Sequence, residues 1–290
     1  MKKMKGKIIV VLVVLMSVCV TKGQVKVHIT DIEERNVDGQ SVLYVNDQKY
    51  DGVVYENYVI PKIKYTVKEG KKEGPYELYF ENGSLKRKTT FKDDKYDGPF
   101  EEYYSNGQLA IKTFFRAGKY HGTLEMYYKN GQLEAVGNHL EGKYHGEQKK
   151  YYDNGQLKSS VHYIKGIKEG SSVKYYENGD LKEQAFYSND RLSGIYENYY
   201  EGRVLYVKTE YADGNKQGAF YMYHENGRLK RKGYYMDGKE NGPFEIYHEN
   251  GRLKRKGYFK EGRLSGEFES YDQEGRLVNK TTYKNGQEIG

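Results

Sequence analysis

The stretch GPFEEYYSNGQLAIKTFFRAGKYH, Gly98 to His121, decides how this chain folds. Its Gly, its paired aromatics, its Asn-Gly and its Leu come back in the following 24 residues, and again in the 24 after that. The opening Gly recurs as Gly74, Gly98, Gly122, Gly146, Gly170, Gly194, Gly218, Gly242 and Gly266 without a slip, and Gly290 falls on the same beat. A fixed short period over most of a chain marks one small structural unit copied in tandem, each copy packing on its neighbours. It points to an extended repeating surface rather than to one catalytic cleft.

Counting positions from each Gly gives nine units over residues 74–290. Position six is Tyr in all of them: Tyr79, Tyr103, Tyr127, Tyr151, Tyr175, Tyr199, Tyr223, Tyr247 and Tyr271. Position twelve is always Leu: Leu85, Leu109, Leu133, Leu157, Leu181, Leu205, Leu229, Leu253 and Leu277. Position eighteen is aromatic except in unit three, where His139 stands.

Positions nine and ten are Asn-Gly in seven units, as in Asn106-Gly107 and Asn130-Gly131. Flanked by short aromatic and β-branched runs, this pair predicts a tight hairpin whose two turn residues both take positive φ. A second turn falls around position twenty-one, as in Asp213-Gly214, Asp237-Gly238 and Asn285-Gly286. Two such turns leave at most about 11 residues between them, room for strands but not for a helix pair. The predicted fold is all-β, with tandem 24-residue β-hairpins forming an elongated, twisted antiparallel sheet.

A two-residue turn at nine and ten sets position seven opposite twelve, five opposite fourteen and three opposite sixteen. One face then gathers positions three, five, seven, twelve and eighteen and is the more apolar. The Tyr at six falls on the other face, beside the Lys and Arg of positions thirteen and fifteen, where cation–π contacts are expected. The two turns lie 11 and 13 residues apart, so one strand is longer by two. The constant Gly sits in that strand and marks a bend or bulge.

Residues 41–73 read as a degenerate capping repeat and 24–40 as a leading strand or tail. Lys49-Tyr50-Asp51-Gly52 copies Lys95-Tyr96-Asp97-Gly98, while Pro61 interrupts a strand. Unit six has its Gly one place early, at Gly202, so its turn is expected to be distorted. Units four and five put Gln148, Lys150, Ser172 and Lys174 on the supposed apolar face. Unit nine carries Asp272 where the other units have Tyr, His or, in unit one, Phe80, as suits a polar terminal cap.

Mean hydropathy of −0.96 and 31% charged residues argue against a thick aliphatic core, whereas 33 Tyr suit a thin, half-exposed sheet. Residues 1–23 form a basic start, an apolar run and a small-residue site, as in a secretory signal peptide. Cleavage after Gly23 is expected, giving an exported chain. Lipid anchoring at Cys19, the only cysteine, is the weaker alternative, since Val18 is bulky for such a site. Of 48 Lys and Arg, five lie within residues 1–23, which leaves 43 against 41 acidic residues. That balance gives no reason to expect nucleic acid. The basic runs Arg228–Lys232 and Arg252–Lys256 split between two faces, so contact with an anionic membrane is only a minor alternative.

The pattern G-x-x-x-x-Y-Y-x-N-G-x-L, followed by an aromatic and a Gly-Lys turn, resembles the bacterial MORN-variant repeat. The match is close over residues 74–290 and loose over 41–73. The resemblance implies stacked hairpins in a MORN-like solenoid. Relatives bear the labels of YwqK-like antitoxins and exported 24-residue repeat proteins.

Register-matched His pairs, His121 with His145 and His224 with His248, lie two strands apart, about 9.6 Å at 4.8 Å per strand. Ligands of one zinc ion must approach far more closely. No metal site, cofactor or catalytic residue is expected. The expected function is an exported, non-enzymatic repeat scaffold whose partner is another protein or an envelope polymer. The alternatives are an antitoxin- or immunity-type protein that neutralises a toxin by binding, and a glycan- or cell-wall-binding module.

Overall fold

The computed structural model describes residues 26–38, 40–56 and 62–289. The expected signal peptide, Cys19 and Pro61 lie outside them. Among the described residues, 26 strands form one open sheet and three more form a small separate sheet. Each unit contributes one hairpin. In unit two, Lys95–Tyr103 pairs with Leu109–Arg116, which pairs in turn with the first strand of unit three. The all-β tandem-hairpin expectation holds along the whole array.

The turns differ from the expected assignment. At Asn-Gly only the Gly has positive φ, for example 83° at Gly107. The Gly107 N–H donates to the Tyr104 carbonyl (2.9 Å) and the Tyr104 N–H to the Gln108 carbonyl (2.8 Å). This is a three-residue loop, a type I turn followed by a left-handed Gly. The two-residue turn with both φ positive occurs instead at positions twenty and twenty-one, as in Ala117 (48°) and Gly118 (79°). Glu141, Lys165 and Glu261 accept the same conformation, which costs a side chain about 1 kcal/mol.

The longer first loop moves the register. Position six, not seven, stands opposite twelve: Tyr103 faces Leu109, and every other unit repeats the pair, from Tyr79–Leu85 to Tyr271–Leu277. A register shift follows. Five then faces fourteen and three faces sixteen, as expected, in the pairs Glu102–Ile111 and Phe100–Thr113. Positions seven and twelve therefore leave the apolar face. That face is built from three, five, fourteen, sixteen, eighteen and a further row at twenty-three.

The Gly at position one has positive φ in all nine units, from 72° at Gly218 to 118° at Gly98. In unit four, Asn138 opposes His145 and Gly137 opposes Gln148, which leaves Gly146 and Glu147 unopposed on that side. Those are the two extra residues of the longer strand, and the left-handed Gly allows the chain to step around them.

The start of the chain is thicker than its composition implied. Tyr50, Val54, Tyr65 and Val67 form a core, with Val54 at 0% exposure, and Ile29, Ile32, Leu43 and Val45 pack against it. Lys26–His28 closes the sheet edge by pairing in parallel with Gly52–Glu56. The prefix keeps the second-turn device of the repeats: the Gly70 N–H donates to the Tyr50 carbonyl (2.9 Å), as Gly118 does to Tyr96 (2.8 Å). At the other end Leu277 and Val278 are exposed (54% and 66%), so the apolar cap sits at the N-terminal end.

Candidate functional site: the aromatic face and its central depression

Neighbouring units are clipped together at the first turn. The Tyr104 hydroxyl donates to the Tyr127 carbonyl (2.7 Å), and Tyr128, Tyr152 and Tyr176 each reach the next unit in the same way at 2.8 Å. The Asn side-chain amide makes a second clip: Asn106 Nδ2 donates to the Lys129 carbonyl (3.1 Å) while its Oδ1 accepts from the Gln108 N–H. His224 and His248 occupy position seven and replace the Tyr clip. Their Nε2 atoms lie 3.2 and 3.0 Å from the carbonyls of Tyr247 and Tyr271, which requires the Nε2–H tautomer. Among the described residues, no three His, Cys, Asp or Glu side chains converge as a metal site.

The face that carries the Tyr at six is an ion ladder. Tyr79, Tyr103, Tyr127 and Tyr199 donate to the Glu at position four of their own unit, at 2.7–2.9 Å. Lys208, Lys232 and Lys256 at position fifteen pair with Glu197, Glu245 and Glu269 at 2.8 Å. Hydrogen bonds from Lys256 and Tyr271 hold the Glu269 carboxyl down to about 2. Burial, reinforced by the Glu101 acceptor, pushes the Tyr103 phenol up to about 12. The cations at position thirteen lie over position seven rather than six, as with Lys158 over Tyr152 (5.1 Å) and Lys182 over Tyr176 (5.0 Å). The Tyr and Leu rows at six and twelve are half-buried and serve the sheet itself, apart from the exposed Leu277.

The opposite face is the candidate contact surface. Its rings stack across the strands in one continuous run. Tyr76 lies 5.3 Å from Phe91, Phe91 4.7 Å from Tyr96, Tyr96 5.2 Å from Phe115, and Phe115 4.5 Å from Tyr120. The run goes on through His139 (5.3 Å) and Tyr144 (4.8 Å) to Tyr163 (5.2 Å). His139 is thus a member of the stack. Burial lowers its pKa, and its Nδ1 is buried without a partner. Tyr120 and Tyr144 remain 37% and 46% exposed.

Position three decides the relief of this face. Tyr76 and Phe100 stand there in units one and two, and Tyr196, Phe220, Phe244 and Phe268 in units six to nine. In between stand Leu124, Gln148 and Ser172. Small residues at sixteen lie beneath the large ones: a Cβ on Gly233 would sit 2.7 Å from the Phe220 ring. Where the large ring is missing, a depression of about 400 Å³ opens, lined by Leu124, Gly137, Tyr144, Gln148, Lys150 and Tyr163. Gln148 crosses its floor and donates to the Asn138 carbonyl (2.9 Å). Sequence reasoning missed the rows at sixteen and twenty-three. The repeated Lys-Tyr of Lys95-Tyr96, Lys119-Tyr120 and Lys143-Tyr144 was the available signal.

The family profile described as MORN repeat variant matches residues 72–93, 96–117, 120–140, 144–165, 168–189, 216–237, 240–261 and 264–285, more than half of the chain. The chain belongs to the MORN repeat variant family. The eight matched MORN segments skip unit six, whose turn is built differently. There Gly202 (91°) and Arg203 (66°) both take positive φ. Asp180 of unit five holds the turn, accepting from the Gly202 N–H (3.0 Å) and from Arg203 Nε (2.7 Å). No curated protein matches. Among solved structures, the chain is similar to the crystal structures of TcdB2-TccC3-Cdc42 and TcdB2-TccC3. Both are 11% identical with a TM-score of 0.19, over 86% and 88% of this chain. This chain spans 16% of either of those chains.

Proposed function

We propose that this MORN-variant chain is a non-enzymatic binding scaffold, exported after removal of residues 1–23, and that its aromatic face meets another protein or a surface polymer. The observation that carries the reading is the half-exposed ring row beside the central depression. Tyr120 and Tyr144 keep large areas open beside that depression, as Phe186, Tyr234 and Tyr258 do at position seventeen. Tyr brings large contact area with few rotors to immobilise, so such a row suits a binding surface. The depression is lined by Leu124, Met126 and Val161 as well as by Tyr144, Gln148 and Lys150, so it offers apolar contact together with hydrogen-bonding groups.

The test is crosslinking and pull-down on native cell envelopes, comparing the wild-type chain with a Tyr120→Ser/Tyr144→Ser variant. Specific crosslinks that vanish in the variant are expected. Capture that is identical in both overturns the assignment of this face. Export is checked by N-terminal sequencing of the mature protein. Gln24 is the expected first residue, and an intact Met1 contradicts export by this signal.

A further inference from the structure

We infer that the depression across units three and four binds a linear polysaccharide, with sugar faces against Tyr144 and Tyr163 and sugar hydroxyls toward Gln148, Ser159 and Lys150. This rests on the scaffold reading and names the partner of its aromatic face.

The first support is where the repeat breaks its own rules. Position three loses its aromatic at Gln148 and Ser172, and in the same two units position four loses its Glu, to Lys149 and Val173; elsewhere the losses are separate, of the ring alone at Leu124 and of the Glu alone at Tyr221. Tyr151 and Tyr175 thereby lack the carboxylate that receives the hydroxyls of Tyr79, Tyr103, Tyr127 and Tyr199. Both faces give up stabilising contacts in the same stretch. Such local breaks in an otherwise consistent array are expected at functional sites.

The second support is shape. The rings of Tyr120, Tyr144 and Tyr163 succeed one another across the strands, and the depression runs beside them. Successive units are about 9.6 Å apart, two strand spacings. A chain lying across the strands therefore meets equivalent groups at a pitch close to that of a β-linked disaccharide.

Chemistry separates the candidate occupants. A sugar ring presents C–H groups on one face, which pack on an aromatic ring, and hydroxyls at its rim, which need mixed donors and acceptors. Tyr, Gln and Ser supply both. An extended peptide bound by strand addition needs an open sheet edge, and the strands of units three to five are paired on both sides. A polyanion needs clustered cations. Of the two Lys that line the depression, Lys149 is paired with Glu147 (2.8 Å), which leaves Lys150 as its unpaired cation.

The experiment uses residues 24–290 with two probes: peptidoglycan sacculi in sedimentation and chitohexaose in titration calorimetry. The wild-type chain is expected to sediment with sacculi or bind chitohexaose, with Tyr144→Ser/Tyr163→Ser weakening the affinity about tenfold and Tyr235→Ser leaving it unchanged. The decisive variant is Gln148→Phe. It restores the ring that Phe100 already carries between Thr89 and Thr113, so it keeps the fold while filling the depression. Circular dichroism checks that fold, and loss of binding is expected. Binding of Gln148→Phe at wild-type strength overturns the inference, as does failure of the wild-type chain to bind either probe. If envelope crosslinks at Tyr120 and Tyr144 persist while neither probe binds, the polysaccharide falls and the scaffold stands. If the crosslinks are also absent, both fall.

Discussion

The two halves of the array fill the same rows by different chemistry. From Phe91 to Tyr163 the positions eighteen and twenty-three are ring on ring, with centroids 4.5–5.3 Å apart. Beyond Tyr163, position twenty-three becomes Lys168, Leu192, Lys216, Glu240 and Leu264. Lys168 and Lys216 lie over Tyr187 and Tyr235 at 4.8 and 4.9 Å, and Arg231 pairs with Glu240 beside Tyr235. The strand pairing is the same in both halves. A continuous aromatic stack is therefore not what holds the hairpins in line. The backbone ladder and the turn clips do that, which frees the stack to vary.

The strongest way to break this comparison is to remove one ring from each half. Phe115 is buried against Tyr96, Phe100 and Tyr120, whereas Phe259 touches Phe244 and is half-buried. Phe115→Ala is expected to cost about 3 kcal/mol, and Phe259→Ala about half as much. Repeat arrays open locally, so the readout is hydrogen exchange in the flanking strands together with urea unfolding. Equal losses at the two sites would show that the halves are packed alike.

The clips are expected to matter equally along the chain. Tyr128→Phe removes the hydroxyl that donates to the Tyr151 carbonyl and leaves the ring in place. The expected loss is about 1 kcal/mol, with faster exchange confined to the first turns of units three and four. A loss spread over the whole array would mean that the clip acts through the sheet rather than at its corner.

Much of this was legible before any coordinates. The period fixes the unit, two turns per 24 residues exclude helices, and an 11/13 split with a constant Gly locates the bulge at Gly98 and its equivalents. The faces were harder, because Asn-Gly suits two turn geometries and they differ by one residue of register. Assuming the tighter turn put Tyr104 and Leu109 on the aromatic face, while position sixteen, although already set opposite three, did not read as part of that face. That row holds Thr89, Thr113, Gly137, Ala185 and Gly233, which share a size and not a chemistry. Its meaning appears only in the packing, where the Phe220 ring leaves no room for a Cβ at Gly233. The depression was half visible, since Gln148 and Lys150 already stood out as polar intruders, but its wall needed the row at twenty-three.

His139 sharpens the comparison through pH. It is the titratable member of the stack between Tyr120 and Tyr144, and burial holds its pKa below the ordinary value. The unfolded chain then takes up a proton more readily than the folded one. Native stability is full above about pH 6.5 and is lost as pH falls toward the lowered folded value. His139→Phe, which restores the aromatic found at this position in the other units, is expected to remove that dependence. Urea midpoints of the two proteins between pH 7.5 and 5 test this, and parallel curves would assign the pH response to another group.

The smallest expected effect lies at Lys216. Its ammonium sits 4.9 Å from the centroid of the Tyr235 ring, a contact worth about 0.5–1 kcal/mol at an exposed site. Lys216→Met keeps the length and apolar stem of the side chain and removes the charge, so the loss is expected at about 0.5 kcal/mol. Lys216→Tyr rebuilds the first-half arrangement in the second half. If ring on ring and cation on ring are interchangeable there, the Tyr variant matches or exceeds wild-type stability while the Met variant falls short. Should Met equal wild type, the row at twenty-three contributes through apolar cover alone, and Leu192 and Leu264 rather than Lys168 and Lys216 represent what the second half requires.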